Sequence, residues 1–409
     1  MTATDRHANQ RIVTALSLAM LAVLVAASWV TPDPNVPPAT VAARAIAAEC
    51  TSNASREPCY ARALAALAGH TNLEQAFATL TALQAIDDRA RVCHFVAHAI
   101  GQAEVEKDPR QWQELINRCP DACAWGCMHG VFEAYRNTLP NGLAPEMVRT
   151  ACANARGDCT HILGHLLLVD AGGDIPKALR LCELLPQENR QRYPCVTGVF
   201  MEAHTAQSLA PHGFVNPEAL ERPERLRELE ALCRSYGGEL GVACWQEIVW
   251  AAVPKLADDP GAVFDFCRRH PDAEAQKRCT QQGIIVLTGS PTFANDPEKS
   301  NRICGALPPD APVDRTLCLV TVVGTITLAV PDDAEHLAAY CAGVEVPFQR
   351  PCFRALWGML SRLNRFSPER AQAVCAPIGL DVRGACLSGP NPDLKREWEN
   401  SITGASRPP

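Results

Sequence analysis

The sequence predicts an all-α protein, an α-solenoid of about ten disulfide-linked helical hairpins behind an N-terminal transmembrane helix. Three observations predict it. Twenty cysteines in 409 residues recur in local couples. The first members of the last five couples, Cys233, Cys267, Cys304, Cys341 and Cys375, step by 34, 37, 37 and 34 residues, a rhythm proper to helix-turn-helix repeats. An uncharged apolar run near the N-terminus is long enough to cross a bilayer, which places the rest where disulfides persist. Apolar residues make up 47% and charged residues 20%, enough for a core and against disorder. The net charge is −7, and no Lys/Arg run interleaves with aromatics, so the reading includes no nucleic-acid partner.

Residues 1–11 form a short cytoplasmic segment carrying Arg6, His7 and Arg11. Residues 12–30, IVTALSLAMLAVLVAASWV, follow as a signal-anchor, oriented by those preceding cations. A cleaved signal peptide ending near Ala26-Ala27-Ser28 is the competing reading. Both leave the body outside the cytoplasm; the anchor makes it a single-pass protein of the cell membrane. Residues 31–41 are a Pro-rich linker. Residues 42–203 are N-terminal repeats, 204–223 an insertion loop, 224–388 C-terminal repeats and 389–409 a polar tail. The insertion shows as a step of 51 residues between Cys182 and Cys233.

The local couples are Cys50/Cys59, Cys119/Cys127, Cys152/Cys159, Cys182/Cys195, Cys233/Cys244, Cys267/Cys279, Cys304/Cys318, Cys341/Cys352 and Cys375/Cys386. Pairing the remaining Cys93 with Cys123 would tie repeat two to repeat three and leave no free thiol. Asp108-Pro109, Asp259-Pro260, Asp296-Pro297 and Ser367-Pro368 each set a capping side chain before a proline at the first helical position. The first cysteine of a couple then falls near the end of helix A and the second near the start of helix B. Each bridge closes a short loop and stabilises by about 2–3 kcal/mol. The β-branched run LVTVVGTIT reads as helix because the period and the proline caps require it.

This plan resembles the disulfide-stapled α-solenoids of the Sel1-like and tetratricopeptide class. The resemblance is architectural and covers nearly the whole body. It implies a right-handed array and a binding surface rather than a reaction.

Five of the eleven histidines fall between His94 and His165, each within six residues after a helix-B cysteine. Repeat two reads CHFVAHAIG, with His94 and His98; repeat three reads CMHGVFEAY, with His129 and Glu133. Repeat four reads CTHILGHLL, with His161 and His165; repeat five reads CVTGVFMEAH, with Glu202 and His204. A spacing of four puts both members of a pair on one helix face. Stacked B helices would bring His94, His98, His129, His161 and His165 together as ligands of zinc, iron or copper. Glu133 and Glu202 would act as catalytic carboxylates, one as general base. The expected function is a metal-binding protein working as a hydrolase or oxidase. The alternative is a non-catalytic scaffold for a peptide or an envelope protein. A rival metal site, Cys119, Cys123 and Cys127 with His129, would be a closed zinc–thiolate centre. His70, His204, His212, His270 and His336 are expected at the surface. Trp112, Trp125, Trp245, Trp250 and Trp357 are expected in the core, and Asn53-Ala54-Ser55 fits a glycosylation acceptor.

Overall fold

A computed structural model describes residues 37–51, 56–140, 142–153, 158–185, 192–205, 222, 224–363 and 365–387. The expected membrane span, most of the insertion loop, the Asn53-Ala54-Ser55 sequence and the tail lie outside these residues. Among those described, no helix is long and apolar enough to cross a membrane. Every regular element described is helical.

Among the described residues the helices form ten successive hairpins. They are α1 (Pro38–Cys50) with α2 (Glu57–His70), α3 (Leu73–Gln84) with α4 (His94–Lys107), and α5 (Trp112–Arg118) with α6 (Gly126–Asn137). Next come α7 (Pro145–Thr150) with α8 (Cys159–Asp170), and α9 (Ile175–Cys182) with α10 (Arg192–His204). In the sixth, α11 (Arg225–Ser235) precedes a second helix broken into α12 (Gly238–Glu247) and α13 (Val249–Lys255). The last four are α14 (Pro260–Cys267) with α15 (Ala273–Gly289), α16 (Pro297–Gly305) with α17 (Arg315–Ala329), α18 (Ala334–Gly343) with α19 (Val346–Arg362), and α20 (Pro368–Cys375) with α21 (Leu380–Cys386). The expected linker ends early, because α1 already begins at Pro38, a proline suited to the first helical turn.

Local chemistry explains the helix starts. The side chains of Asp259, Asp296 and Ser367 accept from backbone N–H groups of the following turn, as their Pro-capped sequences predict. Asn72, Asp174, Asp272 and Asp314 do the same without a predicted motif of that kind. Asp108-Pro109 opens a short 3₁₀ turn that runs into α5. The LVTVVGTIT run is helical within α17, where its apolar side chains are buried on nearly every face.

All twenty cysteines are bridged, in the nine local couples and Cys93–Cys123. Oxidation of Cys119, Cys123 and Cys127 removes the zinc–thiolate site, because a disulfide sulfur is no thiolate ligand. Four second-helix cysteines depart from the expected place near a helix start, Cys279 and Cys352 lying about two turns into α15 and α19. Cys244 lies late in α12, and Cys386 ends α21.

Second helices stack on one another in order, from α2 to α4 and α6, and from α8 to α10 and α12, continuing to α21. Two of these crossings are unusually close. A Cβ at Gly130 of α6 would lie 2.0 Å from the His98 carbonyl oxygen of α4. One at Gly198 of α10 would lie 1.9 Å from the His161 carbonyl oxygen of α8. Only a residue without a side chain lets the backbones approach this far.

The array also curls back on itself. Asn295 Nδ2 donates to the Arg91 carbonyl at 3.1 Å, and Arg91 pairs with Asp333 at 2.6 Å. The Arg362 guanidinium sits over the Trp125 ring at 5.4 Å. Repeat two and the start of repeat three are therefore buttressed by repeats seven to nine. Trp112, Trp245 and Trp357 are buried as expected, whereas Trp125 and Trp250 are only partly buried.

Gly198→Ala should destabilise the protein by about 1–3 kcal/mol, the usual range for forcing extra volume into a packed contact. Denaturant midpoints of the purified variant check this. An unchanged midpoint would contradict the close α8–α10 crossing.

Candidate metal centre

The four histidines of the two His-x3-His pairs are arranged alike. On α4, His94 Nε2 and His98 Nε2 lie 3.1 Å apart. On α8, His161 Nε2 and His165 Nε2 also lie 3.1 Å apart. The His129 ring on α6 stands between the pairs, its centroid 5.0 Å from His94, 4.9 Å from His98 and 4.8 Å from His165. All five histidines named from the sequence thus join one cluster. His129 and His165 are buried, while His94, His98 and His161 are partly exposed.

Each pair turns its other ring nitrogens outward to oxygen partners. His94 Nδ1 donates to the Cys123 carbonyl at 3.0 Å. His98 Nδ1 is 3.5 Å from Glu133 Oε2, which also accepts from Gln102 Nε2 at 2.8 Å. His161 Nδ1 is 2.9 Å from Thr197 Oγ1, and His165 Nδ1 is 2.8 Å from Glu202 Oε2. The Thr197 hydroxyl spends its proton on the Pro194 carbonyl at 2.8 Å, so toward His161 it accepts. Carbonyl, hydroxyl and carboxylate partners therefore assign the Nδ1 proton on His94, His161 and His165. In the α8 pair, where both rings carry the Nδ1 proton, the two Nε2 lone pairs then point at one another, which is unfavourable without a cation between them. The sulfur of Met201 joins the second pair, with Sδ 3.3 Å from His161 Nε2.

The Cys123 carbonyl is aimed by an unusual turn. Cys123, Ala124 and Trp125 all have φ between 48° and 57°, the left-handed region. Each such non-glycine residue costs about 1–2 kcal/mol. The Cys93–Cys123 bridge joins this turn to the residue just before α4.

Desolvation works against charging three of the rings. Loss of hydration, then the neighbouring His98, pushes His94 down to about 3. Desolvation followed by His165 holds both His129 and His161 well below the usual imidazole range.

The two carboxylates differ in setting. Glu202 is 3% exposed and lies behind His165, whereas Glu133 is partly open to solvent. Together with His129, His165, Phe132, Ile162 and other apolar residues they line a narrow cleft. Several participants were not selected from the sequence: Thr197, Gln102, Met201 and the Cys123 carbonyl. A signal for Thr197 did exist, since α6 and α10 both read Cys-x2-Gly-Val-Phe and His129 and Thr197 occupy the same place before the glycine. Among the other histidines, His204 departs from its expected surface position. It is 1% exposed, 3.9 and 3.8 Å from the sulfurs of Cys233 and Cys244, and burial pushes it down to about 3. Those sulfurs are bridged, so this group is no metal site. His70 is exposed as expected, His270 and His336 are partly buried, and His212 lies outside the described residues.

Fold and site together define a disulfide-clamped, all-helical array with converging imidazoles in its N-terminal half. No family model, curated protein or solved structure matches the chain.

His94, His129, His161 and His204 carry fewer protons folded than unfolded at pH values below the ordinary 6.5. Their contribution to stability is therefore lost as pH falls from 6.5 toward 3. Metal-free protein should show a melting temperature that declines steadily across that window. A flat profile would contradict the desolvation of these rings.

Proposed function

We propose that the protein is a membrane-anchored, extracytoplasmic metal-binding protein whose His94, His98, His129, His161 and His165 hold a transition metal. The carrying observation is the inward convergence of Nε2 atoms whose Nδ1 positions are braced from behind. Metal-ligating histidines characteristically pass their second ring nitrogen to a carboxylate, carbonyl or similar acceptor. The spacing within each pair also suits a shared ion. With zinc–nitrogen bonds of about 2.0–2.1 Å, two ligand nitrogens lie about 2.9 Å apart at right angles and about 3.3 Å apart in a tetrahedron. The observed 3.1 Å falls between these values. Zinc, iron and copper all accept such donors.

The carboxylates take separate roles in this reading. Glu202 orients His165 and strengthens it as a ligand. Glu133, partly open beside the cleft, braces His98 and is the group suited to accept a proton from a metal-bound water. The reaction class is metal-assisted hydrolysis or oxidation. The architecture is read as a right-handed α-solenoid of the Sel1-like and tetratricopeptide type, with the apolar run at residues 12–30 as its anchor in the cell membrane. The non-catalytic scaffold for a peptide or an envelope protein is what remains if no metal binds.

Purified full-length protein should carry or take up about one equivalent or more of a transition metal per chain. The double variant His98→Ala/His165→Ala should lose that uptake, with circular dichroism unchanged because the bridges hold the hairpins. Elemental analysis and titration together check this. Absence of uptake by the natural chain would remove the metal reading.

A further inference from the structure

The two halves of the histidine cluster present different donor sets. The half on α4 and α6 offers His94, His98 and His129, whose ligand nitrogens lie within 4.8 Å of one another. It contains nitrogen only. The half on α8 and α10 offers His161 Nε2 and His165 Nε2 at 3.1 Å, with Met201 Sδ 3.3 Å from His161 Nε2. His161 Nε2 thus has an imidazole nitrogen and a thioether sulfur as immediate neighbours.

We infer that His161, His165 and Met201 form a distinct soft-cation subsite whose ligand is Cu(I). The inference rests on the metal reading of the cluster and narrows it for this half.

Two physical points support it. A neutral thioether is a weak donor toward hard, strongly hydrated divalent ions, whereas soft polarizable sulfur selects Cu(I). The surroundings also suit a low-charge ion. The rings are braced by Thr197 and Glu202, so the donor atoms are already oriented before an ion arrives. His165 is buried and the flanking residues Ile162 and Leu166 are apolar, which limits access by water. A two-nitrogen, one-sulfur set of low coordination number holds Cu(I) without needing further ligands.

Met201 carried no sequence signal. It follows Phe200 in α10 and reaches His161 only because Gly198 lets α10 lie against α8.

The test uses full-length protein under anaerobic conditions. Cu(I) is supplied as its acetonitrile complex, without thiols that would open the bridges, in competition with a chromogenic Cu(I) chelator. Zn²⁺ is titrated in parallel. The natural chain should bind Cu(I), and X-ray absorption should show a sulfur scatterer beside the nitrogen shell. Met201→Leu preserves volume at a partly exposed site. It should lower Cu(I) affinity by about tenfold or more, at least the loss seen for an outer partner of a ligand, remove the sulfur scatterer and leave Zn²⁺ uptake and the melting temperature unchanged. Equal Cu(I) affinity in Met201→Leu and the natural chain, or an all-nitrogen shell in both, would overturn the subsite while leaving metal binding by the histidines intact. Failure of the natural chain to bind either ion would overturn the metal reading itself and this inference with it.

Discussion

Close backbone contact at two helix crossings is the constraint on which the site depends. Gly130 brings α6 against the backbone of α4, and Gly198 brings α10 against α8. Each crossing lets one helix present imidazoles while its neighbour supplies the groups behind them. Glu133 of α6 reaches His98 of α4, and Thr197 and Glu202 of α10 reach His161 and His165 of α8. A helix normally avoids interior glycine, which costs about 1 kcal/mol against alanine. Here that cost is offset by hydrogen bonds that a wider separation would break. The same contact carries the Met201 sulfur to His161.

Such a cluster is expensive to keep, since buried polar atoms without full pairing destabilise a fold by a few kcal/mol each. The covalent clamps supply the compensation. Nine bridges close their own hairpins, so the local geometry survives unfavourable polar burial nearby. The tenth, Cys93–Cys123, has a different place. It pins a left-handed turn whose carbonyl meets His94, so a structural bond also fixes the orientation of one imidazole.

The two halves of the array divide their tasks. Repeats two to five carry the imidazoles and carboxylates of the cluster, and the second helices of repeats seven to nine carry no histidine. The later repeats nevertheless act on the site's surroundings, because the chain curls until Asn295, Asp333 and Arg362 touch Arg91 and Trp125. These contacts join residues more than two hundred positions apart. They hold Arg91, just before α4, and Trp125, just before α6.

The sequence by itself determined the hairpins, their bridges and the membership of the histidine cluster. A period near thirty-five, proline-led helix starts and two His-x3-His spacings are local patterns, and local patterns follow from backbone geometry and short loops. Cys93–Cys123 was the one pairing left once the nine local couples were assumed, and the structure forms it. What only the tertiary structure decided was which atoms meet: the Nδ1 partners, the sulfur of Met201, the burial of His204 and the return of the later repeats onto Arg91. His204 shows the reason clearly. At a helix end it reads as a surface residue, yet it packs against the Cys233–Cys244 bridge of the next hairpin. Period and spacing specify the face a residue occupies along its own helix. They do not specify the crossing angle or distance of the neighbouring helix, and those two quantities set every contact that would make this cluster a metal site.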